Sequence, residues 1–397
     1  MRQCLRQTPS PECHYILLAV RGSRGAYVPP LALSENEAWY NHENIREINN
    51  RRSGVATARV ASILDERPEL TELHSHVGGA VDPAIMWSIA HQAGIRLPTK
   101  DYWQFVELIS VSHPDKVNNL AEYDLIFRWT ELIQSSPMAI ERSVYEIIGG
   151  AYRRCNITTL ELRFNPLKRN RGGERDLDHI ISAALRGQDR ALLEYPQARA
   201  GLILMMDRTF TPEVNAIVIE KALRYQNRGI VGIDIAGPPS PDFSYREHQA
   251  LVERARAAGL GVTIHTGEEG RVDDMWEVVE HLRPQRIGHG ILCVYDDALV
   301  GRVAQEGITL EICPTSNLRT KAVRDIEELR HIITTLKERG VPFTINTDGP
   351  EMLVTNLVKE YQLLLDQGIF DDDDVRRCIE TAKRASFLTA REPARVG

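Results

Sequence analysis

The feature that most constrains this chain is an alternation of short apolar segments with amphipathic helical segments after residue 68. Eight apolar segments have the pattern of buried strands: Thr71–His74, Thr158–Arg163, Gly201–Met205, Ile230–Ile235, Gly261–His265, Arg286–Gly288, Ile308–Cys313 and Pro342–Thr347. Helical stretches between them include Glu247–Ala258, Met275–Leu282, Asp297–Glu306 and Ile326–Arg339. Alternating strands and helices favour parallel pairing with right-handed crossovers, and eight repeats predict an α/β fold, a closed (β/α)8 barrel of the TIM type.

Two segments do not follow the repeat. Residues 1–67 contain scattered Pro and Gly and two candidate helices, Glu35–Asn50 and Ala56–Glu66, without a chemical motif. We interpret them as an N-terminal extension, which leaves 68–397 for the barrel. A mostly helical insertion after the first strand, roughly Asp82–Tyr152, is expected to form a lid over the pocket.

Composition limits the possible functions. The 397 residues carry a formal net charge of -7, with a pI of about 6.0, so nothing indicates a basic face for nucleic acid. No apolar run approaches the ~20 residues of a membrane span. The six cysteines contain no CxxC pair, as is typical of a reduced compartment. We therefore expect a cytoplasmic enzyme that acts on a small molecule.

Four polar residues at the ends of predicted strands suggest a metal site. His74 and His76 are two positions apart, so a strand would place both imidazoles on one face. His265 and Asp348 end the fifth and eighth strands, and in such barrels the carboxyl ends of the strands carry the active site. A lone His-x-His pair is a weak signal, but three imidazoles and a carboxylate predict a hydrolytic metal centre, with zinc the first candidate.

Further candidates for chemistry follow other strands. Glu268 would act as a general acid if burial raises its pKa, although it can also be read as an acidic residue at a helix N-terminus. His289 would orient or deprotonate water, or be a structural histidine. Asp348 can equally belong to a turn before Gly349. Gly237, at the end of the fourth strand, would let a backbone N–H contact a flat ligand.

Other charged residues receive plainer interpretations. We read the cations after the second strand as solvated loop charges that can hold an anionic substituent if the loop folds over the pocket; they are Arg163, Lys168, Arg169 and Arg171. Asp234 is expected to anchor a strand end. The acidic run Asp371–Asp374 predicts helix capping instead of a metal site.

Eight short motifs occur in an order that resembles one family. They are Glu-Leu-His-Ser-His at 72–76, Ala-Gly-Ile-Arg-Leu-Pro at 93–98, Leu-Glu-Leu-Arg-Phe at 160–164, Gly-Ile-Asp-Ile-Ala-Gly at 232–237, His-Thr-Gly-Glu at 265–268, Arg-Ile-Gly-His-Gly at 286–290, Glu-Ile-Cys-Pro-Thr-Ser-Asn at 311–317 and Asn-Thr-Asp at 346–348. From about Glu69 to Leu388 the chain resembles the adenosine deaminase family of the amidohydrolase superfamily.

The resemblance implies a zinc-dependent aminohydrolase that converts an adenosine-type nucleoside and water to the inosine-type product and ammonia. One Zn²⁺ per chain would be held by His74, His76, His265 and Asp348. Glu268 would protonate ring N1, while His289 and Asp348 would position and activate the attacking water. Gly237 would offer its N–H to the purine. The expected partners are small molecules, without nucleic acid or membrane, and a homo-oligomer is possible.

Two positions depart from the family pattern and bear on the substrate. Gly78 stands where the family usually has an acidic residue for the ribose 5′-hydroxyl, and Gly349 where it usually has a second Asp for purine N7. Losing a hydrogen-bonding group should weaken selection for its partner, and Gly78 is expected to leave room. We therefore expect a 5′-modified adenosine, such as 5′-deoxyadenosine, a 5′-thio derivative or aminodeoxyfutalosine.

Two alternatives stay open at this point. One is a deaminase of adenine, a nucleotide or another amino-heterocycle. The other is a binding relative that has kept the fold and lost turnover.

Overall fold

The structure is a computed structural model, and it describes residues 62–113, 115–171, 173–238, 240 and 243–389. These residues belong to one compact unit that begins at residue 61. Of the predicted extension 1–67, only residues 62–67 are described, so the helix predicted at Glu35–Asn50 lies outside the described residues. The end of the helix predicted at Ala56–Glu66 is a 3-10 turn, Ile63–Glu66, and the domain boundary stays a prediction. Within the described part of the chain, no helix has the length and apolarity needed to cross a membrane.

Eight parallel strands follow one another around a barrel, each paired with the next in chain order. They are β1 Leu70–His76, β2 Ile157–Phe164, β3 Arg199–Asp207, β4 Ile230–Ala236, β5 Gly261–Thr266, β6 Arg286–His289, β7 Thr309–Ile312 and β8 Phe343–Ile345. The ring closes just past β8, where Ser75 pairs with Asp348. The His76 N–H donates to the Asp348 carbonyl at 2.7 Å, and the Asp348 N–H donates to the His74 carbonyl at 2.9 Å. The (β/α)8 prediction is confirmed.

The strands form where the chain is apolar on both faces. Every residue of β4 and β5 is buried, as expected for parallel strands covered by helices outside and side chains inside. The last two strands are shorter than predicted. Pro342 has no N–H to donate to a strand ladder, and the Cys313 carbonyl already accepts from Asn317 in the helix that follows.

Helices separate the strands and cover the outside of the barrel. Their bounds are α1 Pro83–Gln92, α2 Tyr102–Ile109, α3 Leu120–Ile133, α4 Pro137–Cys155, α5 Leu177–Glu194, α6 Pro212–Tyr225, α7 Gln249–Ala257, α8 Val272–Glu277, α9 Asp297–Glu306, α10 Pro314–Arg319, α11 Ile326–Glu338, α12 Leu357–Asp366 and α13 Asp372–Ala385. Short 3-10 turns occur at Ile63–Glu66, Val77–Gly79, Pro166–Arg169, Gln226–Arg228, Arg246–His248 and Ile291–Tyr295. The helix predicted at Met275–Leu282 is the end of α8 and a π-helical turn, Val278–Leu282.

The insertion after β1 consists of α1 to α4. A polar side chain accepts a backbone N–H in the first turn of each helix, which satisfies donors that the helix itself cannot pair; these caps are Asp82, Asp101, Asn119 and Ser136. The buried face of α3 packs with Val111, Met352 and Leu353 in a small cluster separate from the main core. This packing fixes α3 beside the carboxyl ends of the strands, which is where a lid was predicted.

Candidate metal centre and active site

Three histidine side chains from β1 and β5 converge on one point. Each of His74, His76 and His265 offers a ring nitrogen, and these nitrogens all lie within 4.8 Å of one another. The Nε2 atoms of His76 and His265 are only 3.2 Å apart. Nε2 of His74 is buried and has no hydrogen-bond partner among the described residues. Buried nitrogens without partners are costly, so this donor set fits a metal ion.

Carboxylates behind two of these histidines orient the rings. Nδ1 of His74 lies 2.7 Å from Glu311 Oε2, and Nδ1 of His265 lies 2.9 Å from Asp234 Oδ2. Because an ionised carboxylate can only accept, these contacts place the proton on Nδ1 and the lone pair of Nε2 toward the common point. Burial lowers the pKa of all three imidazoles well below the usual value, which favours the neutral form that binds metals.

An ion-pair network inside the barrel holds those carboxylates. Arg163 contacts Asp234 at 2.9 Å and Glu311 at 2.8 Å, and all three side chains are fully buried. Arg286 contacts Glu311 at 2.7 Å from the other side. The interpretation of Arg163 as a solvated loop charge is wrong: β2 runs on to Phe164, so Arg163 is still within the strand and its side chain lies in the interior.

Asp348 reaches the same point from the loop after β8. Its Oδ1 lies 3.3 Å from His76 Nε2 and 3.7 Å from His74 Nε2. Its Oδ2 accepts a hydrogen bond from Ser316 at 2.7 Å and a longer one from Tyr123 at 3.4 Å. One carboxylate oxygen is thus held by hydroxyl groups while the other faces the histidines. Burial raises the pKa of Asp348 to about 6.

Glu268 and His289 lie beside the histidine cluster. Nε2 of His289 is 3.4 Å from Glu268 Oε2, and Nδ1 of His289 is 3.0 Å from the Asn317 side-chain amide. Burial, reinforced by the charges of Asp348 and Asp124, raises the pKa of Glu268 well above the usual value. The alternative of a helix N-terminal acid is wrong for Glu268, because α8 begins only at Val272 and Glu268 precedes it by four residues.

A cavity of about 490 Å³ opens onto this cluster. His76, His265, Glu268, His289 and Asp348 all line it, so the structure brings these predicted residues together in one pocket. His74 lies behind them and is fully buried.

Gly237 lines the same cavity with a φ of 88°, a conformation that favours glycine. A Cβ at this position would lie 2.5 Å from Asp207 Oδ2, so no side chain fits. The Gly237 carbonyl accepts from Arg208 Nε at 2.7 Å, which fixes the loop after β4.

The inner face of α3 contributes residues that sequence reasoning missed. Tyr123, Asp124 and Phe127 all line the cavity. The only signal for them was two aromatic residues four positions apart, which places both on one side of a helix. Nothing in the sequence indicated that this side meets the pocket.

Both departures from the family pattern are covered by α3. A Cβ on Gly78 would lie 2.8 Å from Phe127 Cδ1, and a Cβ on Gly349 would lie 3.0 Å from the Tyr123 hydroxyl. The expectation that Gly78 leaves room is wrong, because the Phe127 ring fills that space. Gly78 itself lines the cavity.

The basic loop after β2 lines the cavity, but carboxylates already pair with its cations. Lys168 contacts Asp207, and Glu131 contacts Arg169 at 3.1 Å and Arg171 at 3.6 Å. These residues line the cavity without an unpaired positive charge of their own.

The helix capping predicted for the acidic run at 371–374 is confirmed, but Asp374 is buried and not on a solvated face. Asp371 caps α13 in a reciprocal box with Asp374. Asp374 also contacts Lys337 at 2.7 Å.

Comparison with known proteins agrees with this geometry. The family model for adenosine deaminase matches residues 69–396. An adenosine deaminase of Vibrio vulnificus (strain YJ016) is 31% identical over 295 residues, which cover 74% of this chain and 87% of that one.

Two solved structures share the fold at low sequence identity. An N6-mAMP deaminase of Arabidopsis is 22% identical with a TM-score of 0.70, and the match covers 80% of this chain and 93% of that one. A cog1816 amidohydrolase of Burkholderia ambifaria with bound Zn is 20% identical with a TM-score of 0.71, over 84% and 90% of the two chains. Since the family model spans nearly the whole described chain, the protein belongs to the adenosine deaminase family and is a hydrolytic deaminase of adenine-type compounds.

Proposed function

We propose that this protein hydrolyses the 6-amino group of an adenosine-type nucleoside and prefers substrates modified at the 5′ position. The observation that carries the proposal is the position of Glu268. A carboxyl whose buried surroundings favour the protonated form lies in one cavity with three neutral histidines and Asp348. A proton donor beside a metal-type cluster suits an aminohydrolase acting on a ring nitrogen.

The donor set supports one Zn²⁺ per chain. His74, His76 and His265 would bind through Nε2, and Asp348 through Oδ1, because these are the atoms that face the common point. A zinc ion supplies Lewis acidity that brings the pKa of a water close to neutral pH.

The chain's own residues would perform the proton transfers. His289 and Asp348 would hold the attacking water and take its proton. Glu268 would protonate N1, which makes C6 electrophilic. After water adds to C6, the former amino group takes the proton first removed from that water and leaves as ammonia. The remaining hydroxyl proton passes to Glu268 as the C6 carbonyl forms. The Gly237 N–H would hold the purine plane in position for this attack.

The surroundings of Gly78 support a 5′-modified substrate. Phe127 packs over Gly78, and its ring centroid is 6.0 Å from that of His76. An aromatic ring in this position cannot accept a hydrogen bond from a 5′-hydroxyl as a carboxylate would. It offers an apolar surface to a 5′-methyl or 5′-thioether group instead.

A nucleotide substrate is the second candidate, and one observation favours it. Arg128 is exposed on α3 at the cavity lining, close to the basic loop. Against it, the cations of that loop already have carboxylate partners. Adenine and other amino-heterocycles remain weaker alternatives, because a cavity of about 490 Å³ exceeds what a free base requires. A purely binding role does not agree with membership of a family of hydrolytic deaminases.

Ammonia release from the purified, zinc-loaded protein tests the proposal. We expect kcat/KM for 5′-deoxyadenosine and 5′-methylthioadenosine to exceed that for adenosine by at least about tenfold. A preference for adenosine would support the proposed deamination but refute the preference for 5′-modified substrates. A preference for AMP would favour the nucleotide candidate, and no release from any of these substrates or from adenine would overturn the proposal.

A further inference from the structure

Asp124 on α3 is a carboxyl in the pocket that the proposed reaction does not use. Its side chain lines the cavity, and its Oδ2 is buried without a hydrogen-bond partner among the described residues. Keeping a buried polar atom unpaired costs free energy, and in binding sites the missing partner is commonly a ligand. Asp124 is therefore a candidate for substrate contact.

Asp124 lines the same cavity as the histidine cluster and the loop after β2. Burial raises its pKa to about 7, Arg208 and Lys168 lower it, and Asp348 and Glu269 raise it. Asp348 belongs to the histidine cluster, whereas Lys168 belongs to the loop after β2, which also lines the cavity. A ligand with its aminopurine at Glu268 would occupy the cavity that Asp124 also lines.

The two cations that lower the pKa of Asp124 make contacts with other groups. Lys168 contacts Asp207, and Arg208 donates to the Gly237 carbonyl and to the Tyr245 hydroxyl. Asp124 therefore has acceptor capacity that the surrounding cations do not use. Phe127, one helical turn further along α3, presents an apolar ring to the same cavity. The two side chains thus add one polar and one apolar group to the cavity lining.

We infer that Asp124 accepts hydrogen bonds from the ribose 2′- and 3′-hydroxyls of the substrate. This inference rests on the proposed function, because it takes the purine to lie at Glu268. A vicinal diol presents two O–H donors to the two oxygens of one carboxylate, and hydrogen bonds to an ionised acceptor are the stronger kind. Asp124 would then select ribosides, while Phe127 bears on the 5′ end. It is a specificity residue for the sugar.

A matrix of variants and substrates tests the inference. Asp124→Ala and Asp124→Asn are compared with wild type on adenosine, 2′-deoxyadenosine, 3′-deoxyadenosine and 2′,3′-dideoxyadenosine. We expect Asp124→Ala to lower kcat/KM for adenosine by roughly 10- to 100-fold, mainly through KM, as for a hydrogen bond to a charged group. On the dideoxy substrate the same change should have little effect, because that substrate has no hydroxyl to lose. The kcat/KM of Asp124→Asn for adenosine should lie between the values of wild type and Asp124→Ala.

The matched control is Glu122→Gln, which removes one charge from the same helix. Within the described part of the chain, Glu122 pairs with Asn118 and the helix start. It should leave all four substrates unchanged. An equal loss on all four substrates in Asp124→Ala would mean that Asp124 acts through the charge of the pocket, and the inference would be wrong. A second contrary outcome is a higher kcat/KM of wild type for 5′-amino-5′-deoxyadenosine than for adenosine that is lost in Asp124→Asn. It would show that Asp124 recognises a cation, and the inference would be wrong.

Calorimetry separates this inference from the proposed function. If wild type released no ammonia from any nucleoside, the affinities of inosine and 2′,3′-dideoxyinosine would still be compared in wild type and Asp124→Ala. Tighter binding of inosine that Asp124→Ala abolishes would support the sugar contact on its own. Equal affinities in wild type would overturn it.

Discussion

The ring of Phe127 lies directly over Gly78, so that a Cβ at position 78 would come within 2.8 Å of Phe127 Cδ1. The two residues therefore have to be read together. Because residue 78, in the turn after β1, is a glycine, α3 can pack closely against this turn. The Phe127 ring on α3 then occupies the space that a side chain at position 78 would need.

This relationship predicts non-additive substitutions. Gly78→Asp alone should destabilise the protein, because the new side chain overlaps Phe127, and should lower the melting temperature by several degrees, as for a clash of about 1–3 kcal/mol. Gly78→Asp combined with Phe127→Ala should recover much of that stability and shift the preference toward adenosine over 5′-deoxyadenosine. Thermal unfolding and kcat/KM for both substrates measure this. Additive losses in the double variant would contradict the pairing.

Glu268 is expected to be the proton donor. Glu268→Gln keeps the shape and removes the transferable proton, so kcat should fall by about 10²–10⁴-fold. Metal content, measured by mass spectrometry of the purified protein, should stay at the wild-type level. The adjacent Glu269→Gln is the control and should retain activity. Near-wild-type turnover in Glu268→Gln would refute the assignment.

The pH dependence of kcat should carry the signature of the same group. The pKa of Glu268 is raised well above its usual value, so the protonated, active form persists to higher pH than in an ordinary glutamate. As pH rises through that raised pKa, the proton is lost and kcat should decline. Arg208 lowers the pKa of Glu268, so Arg208→Gln should move this alkaline limb to higher pH. Ammonia release measured across pH checks this. An alkaline limb at the same pH in Arg208→Gln and wild type would contradict the effect of Arg208 on the pKa of Glu268.

The metal centre should depend on the carboxylates behind it. His265→Ala should lose the metal, since it removes a ligand atom from the cluster. Asp234→Asn should weaken metal affinity by about 10–100-fold, because Asp234 orients the His265 ring. Competition with a chelator measures both, and a chelator should also abolish wild-type activity in a way that added zinc restores. Unchanged affinity in Asp234→Asn, with an unchanged melting temperature, would oppose this role.

The barrel and the cluster were predictable because their signals are local. Strand periodicity places His74 and His76 on one face, and a parallel barrel brings the ends of β5 and β8 to the same side. The contribution of α3 was not predictable, because its orientation depends on packing against Val111, Met352 and Leu353. The error for Arg163 concerned its side chain: it ends the predicted second strand, but the side chain lies inside the barrel, paired with Asp234 and Glu311. The cytoplasmic location and a homo-oligomer remain predictions.

The closure of the barrel has a consequence for folding. The hydrogen bonds that join its first and last strands are made by the backbones of His74, His76 and Asp348, whose side chains form the cluster. These contacts link residues about 270 positions apart, so they are slow to form and have a large loop entropy to overcome. An ion bound by all three side chains would tie the two ends of the sheet together and stabilise the native state in proportion to the logarithm of its concentration. The metal would thus stabilise the closure of the barrel as well as take part in the chemistry.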